Sequence, residues 1–254
     1  MELGLEGKVA LVSGASAGLG RAVAAGLARE GARVVMSGRD QARLEVAAEA
    51  VREESGGEVL AIPADSTRPD ELAYFVGAAV RAWGTVHILV NNVGGARRAA
   101  FLELDEAAWT EGLALNLRSA MHCARLALPH MIRQQWGRII NLAALSGREP
   151  PAGQMASNVP KAGLLAFSKT LSLEVARWNV LVNCICPGRV WSGQIERAFT
   201  PEQAAAFAAQ RIPLGRFGRP EEVASLAVFL ASERAGYVTG TCITVDGGLA
   251  RSLS

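Results

Sequence analysis

The chain has 254 residues, half of them hydrophobic, and 26 basic against 24 acidic side chains give a formal net charge of +2. This length suits one large α/β domain or at most two small ones. Basic and acidic residues are mixed along the chain, which is not the one-sided pattern of a nucleic-acid-binding protein. No apolar run approaches the ~20 residues needed to span a bilayer, and residues 1–14 lack the features of a signal peptide. We therefore expect a soluble cytoplasmic protein without nucleic-acid or membrane partners.

Short β-branched runs alternate with longer helical patterns along the whole chain, which is typical of βαβ units and a parallel sheet. The runs are nearly continuous in apolar residues, as expected of strands buried on both faces. The predicted strands are, in chain order, Lys8–Ser13, Arg33–Ser37, Val59–Ile62, Val86–Val90, Arg138–Leu142, Val180–Ile185 and Cys242–Val245.

The segments between these strands have helical patterns, and some carry signals of a helix end. Gly31 follows the first predicted helix, at a position where glycine commonly ends a helix, and Pro69 suits a first helical turn. Helices are predicted over about Gly18–Glu30, from the second strand through Glu54, from near Pro69, over about Asp105–Gln134 and Gln154–Arg177, and near Pro220–Ala231. Together these elements predict an α/β fold: residues 1–254 form a single doubly wound (Rossmann) three-layer domain with a seven-stranded parallel sheet.

The four cysteines are scattered, and only Cys184 and Cys186 lie close together. Alternation along a strand points these two side chains to opposite faces of the sheet. The three histidines have no ligand spacing, so we expect buried thiols and no metal site. The remaining cysteines are Cys123 and Cys242.

The first predicted strand runs into a glycine-rich loop, residues 14–20, and then into the first helix. Glycines at such a junction allow a tight turn and bring backbone N–H groups close to a pyrophosphate at the helix N-terminus. The order strand, loop, helix therefore predicts a dinucleotide-binding site.

Further motifs follow in a fixed order: Asn91-Asn92-Val93-Gly94 after the fourth strand, Pro187-Gly188 after the sixth, Arg219–Val223 at a helix start and Val245–Gly248 near the end. With the Gly-x-x-x-Gly-x-Gly loop, they make the chain resemble the short-chain dehydrogenase/reductase family over nearly its whole length. Within that family, it is most similar to the bacterial branch of 3-oxoacyl-(acyl-carrier-protein) reductases and of sugar or polyol dehydrogenases.

The choice between NAD and NADP is read at the end of the second strand, where an NAD enzyme has a carboxylate for the ribose and an NADP enzyme offers an arginine. Here Gly38 stands at the carboxylate position and Arg39 follows it. This favours NADP(H) over NAD(H). The alternative is that Arg39 is a solvated residue and Asp40 binds the ribose.

The resemblance also implies which residues hold the cofactor. Asp65 and Ser66 should flank the adenine, and Pro187 to Ser192 should hold the nicotinamide carboxamide. The cofactor-binding residues implied are Gly14, Ser16, Gly18, Leu19, Gly20, Arg39, Asp65, Ser66, Asn91, Val93, Gly94, Lys161, Pro187, Gly188, Val190 and Ser192.

The family performs proton transfer with a tyrosine, a lysine, a serine and an asparagine. Asn116 and Lys161 match the asparagine and the lysine. Ser157 stands four residues before the lysine, where the tyrosine is expected, and Ala144 stands at the serine position. Ser146 lies two residues later and could partly compensate. Two of the four groups are thus expected to be missing, and Ser157 with Ser146 completes the candidate catalytic set.

The chain has only two tyrosines, Tyr74 and Tyr237, and neither is an evident replacement. A serine hydroxyl is a far weaker acid than a phenol, whose pKa is about 10. Three interpretations follow: an NADP(H)-dependent oxidoreductase with an atypical proton relay, an NADP(H)-binding pseudoenzyme that acts as a sensor or assembly partner, or a non-redox enzyme. Close sequences with a similar segment form a sub-branch named as oxidoreductases, and this favours the first.

The mouth of the pocket should come from residues 144–156 and from a substrate lid at about 189–215. Four arginines there could favour anionic substrates or simply be solvated, and Trp191 could line the nicotinamide site or pack the lid. The arginines are Arg97, Arg98, Arg148 and Arg189. The resemblance further implies a small-molecule or carrier-bound substrate and a homotetramer or homodimer, assembled through the two long helices and the last strand.

Overall fold

The strands of the computed structural model lie at the positions that the apolar runs predict. They are β1 (Val9–Val12), β2 (Arg33–Gly38), β3 (Val59–Pro63), β4 (Ile88–Asn91), β5 (Gly137–Leu142), β6 (Val180–Pro187) and β7 (Cys242–Val245). The structure describes residues 2–252, except the side chains of residues 194, 197 and 198. Within this range the strands form one seven-stranded sheet, all parallel, in the order β3-β2-β1-β4-β5-β6-β7. The predicted single α/β domain is confirmed.

Helices cover both faces of this sheet. They are α1 (Gly18–Arg29), α2 (Gln41–Ser55), α3 (Pro69–Trp83), α4 (Glu106–Leu113), α5 (Ser119–Arg133), α6 (Met155–Val175), α7 (Gly193–Ala198), α8 (Pro201–Arg211) and α9 (Pro220–Ala231). Helix α1 packs against α2 and α9, whereas α3 packs against α5. The result is the three-layer arrangement predicted for a doubly wound fold.

Two apolar cores, one on each side of the sheet, hold the layers together. Strand β1 shows the alternation: Ala10 and Val12 belong to the core under α1 and α9, and Val9 and Leu11 belong to the core under α3 and α5. All four are buried, as are most residues of the central strands. Burial on both faces explains why the strand sequences are continuously apolar.

The order of strands reverses direction between β1 and β4, because β2 and β3 lie on one side of β1 and the later strands lie on the other. Loops that leave the carboxyl ends of these two neighbouring strands diverge and leave a crevice. Open α/β sheets bind their ligands at this switch point. The fold therefore places the glycine-rich loop after β1 next to the Asn92 segment after β4.

Three details of the secondary structure differ from the sequence-based expectation. The single long helix expected over about 105–134 is divided into α4 and α5 by a π-helical turn, Ala114–Arg118. Residues 189–215, predicted as a substrate lid, contain two short helices, α7 and α8, that the sequence pattern did not indicate. The fourth strand begins at Ile88 rather than Val86. In the described part of the chain, every helix is too short or too polar to cross a membrane.

Candidate active site

The glycine-rich loop is held in place by Asn92. The Asn92 side-chain amide donates to the carbonyl oxygens of Ser13 (3.1 Å) and Gly14 (2.9 Å). A Cβ on Gly20 would lie 2.4 Å from the Gly14 carbonyl oxygen and 2.5 Å from Asn92 Nδ2, so only glycine allows this close approach. No side chain in the described structure caps the N-terminus of α1 at Ala17. Its first N–H groups are therefore available to an anion, where the helix dipole is also favourable.

Two other residues expected near this loop support it by packing. A Cβ on Gly14 would lie 3.1 Å from Val93 Cγ2, and a Cβ on Gly38 would lie 3.2 Å from the Ser16 Cβ. Val93 thus packs beside the turn, and Ser16 lies against the end of β2. These contacts join the carboxyl ends of β1, β2 and β4 into one surface.

A cavity of about 600 Å³ opens beyond the ends of β2 and β3, and Arg39, Asp65, Ser66 and Thr67 line it. The Asp65 carboxylate accepts hydrogen bonds from the Thr67 backbone N–H and hydroxyl, both at 2.8 Å. These bonds, helped by the charges of Arg39 and Arg68, lower the pKa of Asp65 below its ordinary value. A charged carboxylate and a cation therefore share this cavity.

Asp40, the alternative ribose ligand, is engaged elsewhere. Its carboxylate accepts a hydrogen bond from the Arg43 backbone N–H at 3.0 Å and caps the N-terminus of α2. N-cap aspartate is a common device for satisfying the unpaired N–H groups of a first helical turn. Arg39, by contrast, is exposed and faces the cavity.

A second cleft, of about 320 Å³, lies beyond the carboxyl ends of β4, β5 and β6. It brings together most of the residues expected around the nicotinamide and the reacting groups. The expected residues that line it are Leu19, Gly94, Asn116, Ser146, Ser157, Lys161, Pro187, Gly188, Val190 and Ser192.

Asn116 lies in the π-helical turn between α4 and α5 and is 1% exposed. Its amide donates to the carbonyl oxygens of Gly95 (2.7 Å) and Gly112 (2.9 Å), and its Oδ1 accepts from the Gly95 N–H at 3.2 Å. These three bonds fix the loop after β4 against the helix. Single π-helical turns inside α-helices are frequent at functional sites, and this one sits at a candidate catalytic residue.

Lys161 lies on α6 with its side chain 5% exposed, and its Nζ donates to the Leu142 carbonyl oxygen at 2.8 Å. A Cβ on Gly94 would lie 3.0 Å from both Asn116 Oδ1 and Lys161 Nζ, so both polar groups lie beside Gly94 in the cleft. Burial lowers the pKa of Lys161 from its usual 10.5 to about 8. The ammonium group is therefore a stronger acid than an exposed lysine.

Ser157 lies one turn before Lys161 on α6, and both line the cleft together with Ala144 and Ser146. The two tyrosines of the chain lie outside it: Tyr74 is exposed on α3, and Tyr237 is exposed in the turn that leads toward β7. Among the described residues, no phenol group is available to this cleft.

Two sequence-based expectations about individual side chains change. Asn91, expected in the cofactor groove, is buried and donates to Asn141 Oδ1 at 2.8 Å, and Asn92 lines the cleft instead. Arg148, expected at the mouth, donates to the Cys242 carbonyl oxygen (3.2 Å) and Thr244 Oγ1 (3.0 Å), so it braces β7. Trp191, for which two surroundings were left open, packs on Phe217 at 5.4 Å between ring centroids.

Comparison with known proteins shows to which family the chain belongs. A family model described as enoyl-(acyl carrier protein) reductase matches residues 14–250. The chain belongs to the short-chain dehydrogenase/reductase family. It is 37% identical over 247 residues to the 3-oxoacyl-[acyl-carrier-protein] reductase FabG of Thermotoga maritima, a match that covers 96% of this chain and 98% of the relative. It is 38% identical to nodulation protein G of a Rhizobium species, over 97% and 98% of the two chains.

Solved structures of this oxidoreductase family agree with the fold. The L-sorbose reductase of Gluconobacter frateurii, complexed with NADPH and L-sorbose, superposes with a TM-score of 0.94 at 35% identity, over 100% of both chains. YwfH, an NADPH-dependent reductase involved in bacilysin biosynthesis, superposes with a TM-score of 0.93 at 28% identity, over 98% of this chain and 100% of that one. The predicted membership of the short-chain dehydrogenase/reductase family is confirmed.

Proposed function

We propose that the chain is an NADP(H)-dependent oxidoreductase that interconverts a carbonyl and an alcohol on a small or carrier-bound substrate, with Lys161 as the proton donor. The observation that carries the proposal is that Asn116 and Lys161 both lie beside Gly94 in a cleft that no tyrosine reaches. Reductases of the same family, with NADPH in one of the superposed structures, support the choice of reaction class.

The residues fit a dinucleotide. The uncapped N-terminus of α1 and the close turn at Gly20 leave space and N–H donors for a pyrophosphate. The two cavities lie beyond the carboxyl ends of the strands on either side of the switch point, one with Arg39 and one with Lys161. Leu19 and Ser192 would hold the middle of the cofactor, and Pro187 with Gly188 would hold its nicotinamide end.

The preference for NADP(H) rests on the contrast between Arg39 and Asp40. Arg39 is a guanidinium at the cavity and suits a phosphate dianion, whereas Asp40 caps α2 through one carboxylate oxygen and does not line the cavity. Gly38 adds no carboxylate, and it is buried, with its Cβ position 3.2 Å from the Ser16 Cβ.

When bound, the reduced nicotinamide supplies the hydride that reaches the carbonyl carbon. The Lys161 ammonium gives a proton to the carbonyl oxygen, and the resulting amine regains a proton from solvent, so that one hydride and one proton convert the carbonyl to an alcohol. Asn116 holds the loop after β4 beside Lys161. Ser157 and Ser146 line the same cleft and would donate a hydrogen bond to that oxygen.

A cofactor-binding protein without turnover is the second candidate, favoured by the missing phenol. A serine hydroxyl cannot replace the phenol as an acid. The two candidates therefore differ in whether Lys161 alone can supply the proton for turnover.

The surface of α5 and α6 supports an oligomer. A groove of about 530 Å³ on these helices has mainly apolar walls, with Met121 exposed and with Leu128, Ile132 and Phe167 beside it. We propose that this face packs against a second copy in a homotetramer or homodimer. Light scattering of the purified protein tests this, and a strictly monomeric species would contradict it.

The first test of the proposed function is a titration of purified protein with NADPH and with NADH, followed by nicotinamide fluorescence. We expect NADPH to bind more tightly, and Arg39→Gln to remove most of the difference. Arg81→Gln is the matched control, because it deletes an exposed arginine on α3 away from both cavities. If neither NADPH nor NADH binds, the proposal is wrong.

A further inference from the structure

Arg189 is a half-buried cation at the end of β6. It follows Pro187-Gly188 and lines the same cleft as Lys161, together with Arg98 from the loop after β4. Its guanidinium carbon lies 5.5 Å from the ring centroid of Phe207 on α8, which places the charge against the aromatic cluster of the lid.

No carboxylate among the described side chains forms an ion pair with Arg189 or Arg98. The neighbouring Arg97 differs, because it lies 3.6 Å from the Asp105 carboxylate. Glu149 also lines the cleft, but its carboxylate accepts hydrogen bonds from the backbone N–H groups of residues 251 and 252 at 2.8 and 2.7 Å.

Arg189 and Arg98 therefore line one cleft without an ion-pair partner among the described side chains, while the Glu149 carboxylate of that cleft is bonded to backbone N–H groups. Burial and the charge of Arg98 lower the pKa of Arg189 below its ordinary value. An unpaired, partly desolvated cation is costly to a fold, and a bound anion relieves that cost. Arginine also offers a planar pair of donors that matches a carboxylate or a phosphate.

We propose that the substrate of this reductase carries an anionic group, a carboxylate or a phosphate, which Arg189 and Arg98 bind while its carbonyl lies beside Lys161. This assignment rests on the proposed function and adds the class of substrate to it. The cleft then has two ends: a cationic end at the lid and a proton-donating end at α6.

Two pairs of ketones isolate the effect of the substrate's negative charge on binding. Acetoacetate and methyl acetoacetate share the same ketone but only the first is an anion, and dihydroxyacetone phosphate and dihydroxyacetone form the corresponding phosphate pair. Binding to the NADPH-loaded protein is measured by calorimetry, and turnover by loss of the reduced-nicotinamide absorbance. Calorimetry reports on the anion site even if no turnover occurs.

We expect the protein to bind at least one anion more tightly than its neutral partner. Arg189→Gln should raise the Kd of that anion about ten- to a hundredfold, the range for losing hydrogen bonds to a charged group, and should leave the neutral partner unchanged. Arg189→Lys should restore part of the affinity, and Arg98→Gln should have a smaller effect because Arg98 is exposed. Arg211→Gln is the matched control: it removes an exposed charge from α8 that does not line the cleft.

Equal binding of each anion and its neutral partner, or an equal effect of Arg189→Gln on both, would overturn the inference. So would a loss of NADPH affinity in Arg189→Gln without any dependence on substrate charge, since Arg189 would then belong to the cofactor site. Failure of the proposed function looks different: the anions bind in an Arg189-dependent manner, but none is reduced. A preference for the carboxylate or for the phosphate identifies which anion the site takes.

Discussion

Restoring a phenol to the cleft is the perturbation that examines the proton relay most closely. Ser157 and Ala144 both line the cleft, and the open volume of about 320 Å³ lies in front of them. Ser157→Tyr combined with Ala144→Ser would place a phenol one turn before Lys161 on α6 and a hydroxyl after β5. Asn116 and Lys161, which hold the remaining two positions, are unchanged.

The size of the gain follows from what each group contributes. A positioned general acid is worth roughly 10²–10⁴-fold, and a hydrogen-bond donor to the developing oxyanion roughly 10²–10³-fold. The two contributions act on the same oxygen and are not additive, and Lys161 already supplies part of the first. We therefore expect the double variant to raise kcat/KM for NADPH-dependent carbonyl reduction by about 10–10³-fold.

The assay follows NADPH oxidation by the parent and the double variant with a panel of neutral and anionic ketones. Ser157→Phe combined with Ala144→Ser is the control, since it adds the aromatic ring without the phenolic hydroxyl. NADPH affinity is measured for each variant, so that a change in rate is not confused with a change in cofactor binding. Equal rates for parent and double variant across the panel would show that the absence of the phenol and the serine hydroxyl does not limit the reaction.

Three more perturbations probe other parts of the structure. Arg39→Asp should shift the ratio of Kd values from NADPH toward NADH, because a carboxylate repels the phosphate and accepts from a ribose hydroxyl; direct titration measures it. The rate of reduction should fall above about pH 8 as the buried Lys161 loses its proton, which a pH profile of kcat shows. His87 accepts the Val9 N–H at 3.0 Å, and burial, with the charge of Lys8, lowers its pKa from 6.5 to about 4. The unfolded chain therefore binds more protons than the folded one between those values, so the free energy of unfolding should fall by up to about 3 kcal/mol as the pH drops through this window, measurable by urea unfolding.

Each of these has a clear contrary result. An unchanged nucleotide preference in Arg39→Asp would show that the ribose contact lies elsewhere. A rate that stays flat between about pH 7 and pH 10 would remove Lys161 from the role of acid. His87→Gln should reduce the acid dependence of stability, and an identical dependence in that variant would assign it to other groups.

The fold could be predicted because its signals are local and repeated. Apolar runs such as Val180–Pro187 are buried on both faces, and turn signals such as Pro69 at the start of α3 coincide with the helix ends. The division of the helix over 105–134 could not be predicted, because the π-helical turn depends on Asn116 bonding to Gly95, a residue 21 positions away along the chain.

The candidate site was predictable in position but less so in side-chain direction. Asn91 and Asn92 are adjacent and identical in type, and only the alternation of β4 decides that Asn91 turns toward Asn141 while Asn92 reaches the glycine-rich loop. Arg148 and Arg189 look equivalent as loop arginines, yet Arg148 donates to a carbonyl oxygen and a threonine hydroxyl on β7, and Arg189 stays in the cleft. Such choices depend on tertiary neighbours that a single sequence does not reveal.

The proposed reduction of a carbonyl by NADPH is tested most directly by following the transferred hydride. Purified protein is incubated with NADPH that carries deuterium at the transferable position of the nicotinamide and with the ketone that binds most tightly, and the product is analysed by mass spectrometry. We expect an alcohol with one deuterium on the carbinol carbon, formed more slowly at pH values above the pKa of Lys161. Tight binding of NADPH with no deuterium in any product would contradict it and would identify the chain as a cofactor-binding protein without turnover.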